Sequence, residues 1–328
     1  MGGLSTDQVN RFRDAGYLVV PGLLNDATVV APIIADFEDR LDAIVAERVA
    51  RGDLAPAPGD LPFADRVKWL YRESKDIFAQ NFNISVPARA GIPADTPIFL
   101  PESVFAALHD PDLLDAVETL IGPEISINPI QHVRIKPPQA LVERSTVGTV
   151  NAAVGINKHN GLVSRTPWHQ DNAVCTPDAD ATEMLTVWFP LTSASVEKGC
   201  LQVVPGSHTS GLRAHYRQES NREITLSALP DVEPVALPME PGDVLFLHRQ
   251  TCHASLPNRG DTVRWSLDLR FHPTGQPSGR AALPSFVARS RRDPANEVRD
   301  IGAWRAGWRS AIAALAADPS APAPSRWG

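Results

Sequence analysis

Cysteine is scarce: three residues in 328, Cys175, Cys200 and Cys252, with no pair spaced as Cys-x-x-Cys. The odd count argues against a disulfide framework and favours a reducing, cytoplasmic setting. Positive charge is not in excess either. With 31 Lys+Arg against 38 Asp+Glu the formal charge is −7, so no basic field is available for nucleic acid or anionic lipid. No apolar run approaches the roughly 18 residues of a membrane span. The N-terminus has neither the basic segment nor the apolar stretch of a signal peptide. Met1-Gly2-Gly3-Leu4-Ser5-Thr6 does fit the myristoylation pattern, but that pattern needs only a Gly and one hydroxyl residue, and an ordinary start is the preferred reading. A small-molecule partner is therefore expected, with no nucleic acid and no membrane.

What is present suits one globular unit. Apolar residues make up 43% of the chain, enough for a sizeable core, and the dispersed Pro and Gly suit many turns between short strands. We expect a single domain over 1–328, in three parts: a largely helical part over 1–122, a β core over 123–272 and a C-terminal extension over 273–328. That extension should carry one helix and end in a loose tail, since 318–325 is of low complexity.

Ser5-Thr6-Asp7-Gln8 reads as a capping box opening a short helix, with Gly16 placed to stop it before a strand at 17–20. Asn25 or Asp26 can cap a longer helix to about residue 50, with Val29, Ile33, Phe37, Leu41, Ile44 and Val45 on one face. Further helices are predicted over 63–78, 102–108 and 111–121, the last opened by Asp110-Pro111 and closed by Gly122. From Glu124 the pattern turns to β-like runs at 125–135, 184–191, 201–204, 244–248 and 263–271. Between the first two lies a loop over 138–166, read as a lid because it leads directly into His169. Trp304 and Trp308, four apart, predict a C-terminal helix within 295–316 whose aromatic face packs on the sandwich, with a partner contact as the alternative.

The chemistry begins at Trp168-His169-Gln170-Asp171. In a strand, His169 and Asp171 point to one face, two-thirds of the two-His, one-carboxylate set that holds Fe(II) and leaves positions open. Alone the pattern is weak, because 9 His among 38 acids would produce one such pair by chance. A third ligand must come from further along. His253, just past the apolar run 243–247, is favoured; His248 competes, though it reads as a hydrogen-bonded histidine at a strand's end. Downstream, Arg264, Ser266, Asp268 and Arg270 alternate with Trp265, Leu267, Leu269 and Phe271. A buried polar row is costly unless it meets a charged ligand, and an Arg fork suits a carboxylate. The alternative is a solvated outer face.

The ordered combination of Lys136-Pro137-Pro138, Trp168-His-Gln-Asp171, Trp188, Gly199-Cys-Leu-Gln-Val-Val-Pro-Gly-Ser-His208, His253 and Arg264 eleven residues later resembles the phytanoyl-CoA dioxygenase family of Fe(II)/2-oxoglutarate oxygenases. The resemblance implies a mainly β fold with flanking helices around a double-stranded β-helix (jelly-roll, cupin-like) core. It implies His169, Asp171 and His253 as iron ligands and Arg264 as the clamp for the distal carboxylate of 2-oxoglutarate. Ser266, Trp188 and His132 fall at further cosubstrate positions, His132 where the family more often has Gln or Met. The implied reaction consumes 2-oxoglutarate and O2, releases succinate and CO2, and hydroxylates an unactivated C–H bond of a small molecule.

Retention of Asp171 disfavours halogenation, since related halogenases lose this carboxylate. Desaturation, cyclisation, epoxidation and epimerisation stay open at this point. So do a zinc hydrolase, which would leave Arg264 without a task, and a non-catalytic ligand-binding sandwich with a vestigial site. His208 reads as a turn histidine and Gln170 as pointing away from the metal. In the lid, Lys158, His159, Asn160 and Arg165 are the polar groups placed to meet a substrate.

Overall fold

In the computed structural model, which describes residues 2–57, 59, 61–73, 79–88, 90–144, 166–218, 221–318 and 326, the first helix is capped as its sequence predicts. The Ser5 hydroxyl accepts from Gln8 N at 3.3 Å and Gln8 Oε1 accepts from Ser5 N at 2.9 Å, opening α1 (Thr6–Ala15). Gly16 ends it at φ 77°, a left-handed turn into β1 (Tyr17–Val20). No side chain fits there, because a Cβ would lie 2.4 Å from His208 Nδ1 and 2.6 Å from Thr251 Oγ1. Gly16 O instead accepts from Thr251 Oγ1 at 2.6 Å and from His248 N at 2.9 Å.

Asn25 caps a π turn that runs into α2 (Ala31–Ala50), whose Ile33, Phe37, Leu41 and Ile44 are buried on the expected face. α3 (Phe63–Glu73) covers the described part of the predicted 63–78, and residues 74–78 lie outside those described. α4 (Glu102–Ala107) and α5 (Pro111–Ile121) follow, with Asp110 Oδ1 accepting from Leu113 N at 2.9 Å.

The β core is two facing antiparallel sheets. The larger runs in the order β1, β10 (Val244–His248), β5 (Leu185–Pro190), β12 (Arg264–Pro273), β2 (Glu124–Ile127), β13 (Phe286–Ser290), with β3 (His132–Lys136) pairing the start of β12. The smaller is β4 (Thr166–His169), β11 (His253–Ser255), β6 (Leu201–Val203) and β9 (Val235–Leu237). A short ribbon, β7 (Tyr216–Gln218) and β8 (Asn221–Glu223), stands apart. Trp188, Leu245 and Leu247 of the larger sheet meet Leu201, Val203 and Leu237 of the smaller in one apolar cluster, which closes a jelly roll.

On β12 the predicted alternation holds, but neither face is solvated. Trp265, Leu267, Leu269 and Phe271 join the core under the helices, where Trp265 sits 5.6 Å from Phe37 and 5.4 Å from Phe82 by ring centroids. Arg264, Ser266, Asp268 and Arg270 are also buried, on the opposite side.

Two features depart from expectation. The run 125–135 is two strands, because Asn128-Pro129 interrupts it: proline has no N–H to offer, and Asn128 Oδ1 accepts from Ile130 N at 3.0 Å to turn the chain. β1 and β13 come from outside 123–272, so the larger sheet exceeds the expected core. Arg326 donates to Cys175 O at 3.1 Å and pairs with Asp180, while 319–325, the stretch read as loose, lies outside the described residues. The last helix, α6 (Gln139–Arg144) aside, is α7 (Ile301–Ala317); Trp304, Trp308, Ile312 and Leu315 bury its inner face, so packing is the use made of the tryptophans. Among the described residues no helix is long and apolar enough to cross a membrane.

Candidate metal centre

β4 and β11 pair with His169 directly opposite His253, so one cross-strand position supplies two imidazoles, their ring centroids 4.1 Å apart. Each ring is oriented by its own chain. His169 Nδ1 donates to Pro167 O at 2.8 Å and His253 Nδ1 donates to Thr251 O at 3.0 Å. A carbonyl only accepts, so both protons are assigned to Nδ1 and both Nε2 lone pairs face inward. Burial first, then the neighbouring His253, push His169 down to about 3, which keeps it a neutral donor at ordinary pH.

β4 ends at His169, yet Gln170 stays extended (φ −121°, ψ 138°) before Asp171 begins a tight 3-10 turn. One residue of alternation beyond the strand brings Asp171 to the imidazoles, with Oδ1 3.9 Å from each Nε2. Gln170 faces away as expected; its Nε2 donates to Gly211 O and Gln250 O at 2.9 and 2.6 Å, and its Oε1 accepts from Arg213 N at 2.7 Å. The three ligand atoms lie within 4.8 Å of one another. Atoms held at roughly 2.1 Å around one ion would stand roughly 3–4 Å apart, so little closing is required.

Asp171 is gripped from behind by residues that sequence reading did not assign. Arg270 Nη2 donates to Oδ1 at 2.5 Å, and the Thr186 hydroxyl donates to Oδ2. Arg270 also donates to Ile130 O at 2.9 Å and lies 3.2 Å from Asp268 Oδ1. Burial alone would raise the Asp171 carboxyl, but Arg270, followed by the two histidines and Thr186, holds it well below the usual carboxylate range.

A narrow cavity extends from His169 and His253 to Arg264, with Trp188, Arg134 and Asp268 among its walls. Arg264 is 2% exposed and, among the described residues, pairs with no carboxylate. Its Nη1 donates to Ser266 Oγ at 2.6 Å, its Nε is buried without a partner, and its guanidinium stands 5.4 Å from the Trp188 ring. Burial first, then Arg134, push it down to about 9. A buried guanidinium with an idle donor is costly unless an anion arrives. A 2-oxoglutarate carboxylate would fit it, and Ser266, accepting from Arg264, keeps its own proton to donate.

The structure thus gathers His169, Asp171, His253, Arg264, Ser266 and Trp188. His132 pairs with Asp268 in register and shares the face of Arg134, which lines this cavity; burial first, then Arg134 and Arg270, push its imidazole well down, against the opposing charge of Asp171. His248 is part of the strand's end, its Nδ1 accepting from Gln250 N at 3.2 Å, and His208 donates through Nε2 to Arg13 O at 3.0 Å. The lid's Lys158, His159, Asn160 and Arg165 lie outside the described residues, as does the loop from 145 to 165. Lys136 of the Lys-Pro-Pro motif is buried, its Nζ donating to Ser255 Oγ at 2.5 Å and Leu256 O at 2.6 Å.

A jelly roll presenting two histidines and an aspartate on one side, with a cavity beyond, is the arrangement of the mononuclear non-haem iron oxygenases. A solved non-haem monooxygenase, ThoJ in its apo form, shares the fold at a TM-score of 0.56 and 17% identity, over 94% of this chain and 98% of that one. The chain belongs to the phytanoyl-CoA dioxygenase (PhyH) family, whose model matches residues 12–266. Fe(II), 2-oxoglutarate and O2 are the cofactors of that family, and the donor set here fits them.

Among curated relatives, 1-deoxypentalenic acid 11-beta-hydroxylase of Streptomyces arenae is 36% identical over 129 residues, 36% of this chain and 44% of its own. Phytanoyl-CoA dioxygenase domain-containing protein 1 of Bos taurus is 24% identical over 84% of this chain and 97% of its own. The match thus spans less than half the length of the Streptomyces hydroxylases.

Proposed function

We propose that this protein is an Fe(II)- and 2-oxoglutarate-dependent dioxygenase that hydroxylates an unactivated C–H bond of a small molecule. The balance is substrate, 2-oxoglutarate and O2 to hydroxylated product, succinate and CO2. One juxtaposition carries the reading: a near-formed His169, Asp171, His253 trio and an unanswered Arg264 share one cavity. The hydroxylase name of the 36%-identical relative supports that outcome over the other oxidations.

In this reading the two Nε2 atoms and the Asp171 carboxylate hold the metal, while Arg270 and Thr186 keep the carboxylate aimed. Arg264 takes the distal carboxylate of the cosubstrate in a forked grip, with Ser266 bracing it. Trp188, buried against that guanidinium, keeps water from the carboxylate end of the cavity. Bound iron and 2-oxoglutarate supply the oxidising power; the protein supplies position and dryness. The three cysteines are free and buried, which supports a cytoplasmic location.

The deciding assay is succinate formation from 2-oxoglutarate with Fe(II) and O2, run alongside iron binding to His169→Ala. Succinate formation and a loss of iron binding in the variant are expected. No turnover with any substrate, together with unchanged iron binding in that variant, would defeat the proposal.

A further inference from the structure

With Arg264 facing a cosubstrate carboxylate and Asp171 facing a metal, the cavity still holds a cation without a task. Arg134 stands on β3 opposite Ser266, one register step from Lys136 and from His132 on the same face. It lines the cavity with His169 and His253, and its side chain is 40% exposed. Nε and Nη2 both donate to a single oxygen, Asp268 Oδ2, at 3.3 and 3.0 Å. That grip uses one edge of the guanidinium and leaves Nη1 without a hydrogen bond among the described residues. Asp268 is not Arg134's alone, since Arg270 Nη2 lies 3.2 Å from its other oxygen.

Among the described residues, the charges around the cavity can be matched one by one. A divalent metal answers Asp171 and the near carboxylate of 2-oxoglutarate, and Arg264 answers the distal carboxylate. Arg270 and Arg134 then share Asp268, and one positive charge is left over. Lys136 does not add to it, because burial first and Arg264 second push its amine down to about 5. Of the two arginines, Arg270 is 2% exposed and turns its Nη1 and Nη2 to Asp171, Asp268 and Ile130 O. The unanswered charge therefore falls on Arg134, the arginine that reaches the cavity's open space.

Water can solvate Arg134 only until a substrate excludes it, and then the charge must be met by the substrate itself. A guanidinium edge is shaped for a carboxylate. A single negative charge restores neutrality, whereas a phosphate monoester dianion overshoots by one. Resting on the oxygenase reading above, we propose that Arg134 binds the substrate's carboxylate, so that the substrates are small monocarboxylic acids oxidised at a carbon away from the acid group.

The test is calorimetric binding to the whole chain loaded with Mn(II) and 2-oxoglutarate, which needs no turnover. The probes are cyclohexanecarboxylate, decanoate and adamantane-1-carboxylate, each beside its primary amide, with hexyl phosphate as the dianionic control. A charged hydrogen-bonded pair predicts that an acid binds at least about 10-fold more tightly than its amide, and that Arg134→Gln reduces this preference to below about 3-fold. Arg134→Lys should keep part of the preference, and both variants should bind 2-oxoglutarate like the unaltered protein. Equal binding of every acid and amide, a preference that survives Arg134→Gln, or tighter binding of hexyl phosphate would overturn the assignment. So would a loss of 2-oxoglutarate affinity in Arg134→Gln, which would make Arg134 a cosubstrate contact. Failure of the unaltered protein to bind 2-oxoglutarate at all would bring down the oxygenase reading and this one with it.

Discussion

Replacing Arg270 with Met should destabilise the metal-free protein much more than the metal-loaded one. The substitution keeps an unbranched stem in a buried site but removes the guanidinium from Asp171 Oδ1 at 2.5 Å, Asp268 Oδ1 at 3.2 Å and Ile130 O at 2.9 Å. Without metal, Asp171 is then a 2% exposed carboxylate held only by the Thr186 hydroxyl. Breaking a buried ion pair from one side costs about 3–5 kcal/mol. In a chain of this size that is roughly 4–7 °C in melting temperature. A bound divalent ion supplies the missing countercharge to Asp171, and Asp268 keeps Arg134. The loss with metal should therefore shrink to about 1–2 kcal/mol, the orphaned Ile130 carbonyl and a weakened Asp268 pair. The assay is thermal unfolding of both proteins in EDTA and in saturating Mn(II). Equal losses in the two conditions would show that Arg270 does not act through Asp171.

Three further outcomes are expected. Arg264→Gln should raise the 2-oxoglutarate concentration needed for half-saturation by about 10- to 100-fold while leaving iron affinity within a few-fold, since it removes a carboxylate clamp and no ligand; parallel losses in titrations of both would contradict its role. Asp171→Gly should abolish succinate-coupled hydroxylation, and activity that persisted in a product assay would mean the ligand trio is misplaced. His272, 3% exposed, is pushed by burial from 6.5 to about 4. Between those values the unfolded chain binds the extra proton, so stability falls as pH drops from about 6.5 toward 4, by about 2 kcal/mol at pH 5. His272→Phe should remove that part of the difference between urea midpoints at pH 8 and pH 5; an unchanged difference would refute it.

The ligand trio and Arg264 could be read from the sequence because strand alternation, fixed spacing and order all act within short stretches. His169 and Asp171 are two apart, and the face carrying Arg264 also carries Ser266, Asp268 and Arg270. What could not be read was which strands face each other. Arg270 was visible on the polar face, but its pairing with Asp171 depends on the two sheets closing over one another, ninety-nine residues apart along the chain. Thr186 sits in a run that is buried throughout, with nothing local to mark it as a carboxylate's partner. Arg134 was hidden in a run read as one strand; once Asn128-Pro129 breaks it, His132, Arg134 and Lys136 fall opposite the polar row of β12. β13 escaped notice because its five residues include only two strongly strand-favouring side chains, Phe286 and Val287.

The left-handed turn at Gly16 ties this centre to a distant part of the chain. Its carbonyl receives the Thr251 hydroxyl, and the Thr251 carbonyl in turn receives the ring proton of His253. The end of the first helix is thus part of the mounting for an imidazole almost two hundred and forty residues away. The β core is consequently not a detachable module: a fragment cut to residues 123–272 would keep every proposed ligand yet lose the brace that aims one of them. Dissection of this protein into a catalytic piece and a helical accessory would sever its active geometry at the hinge between α1 and β1.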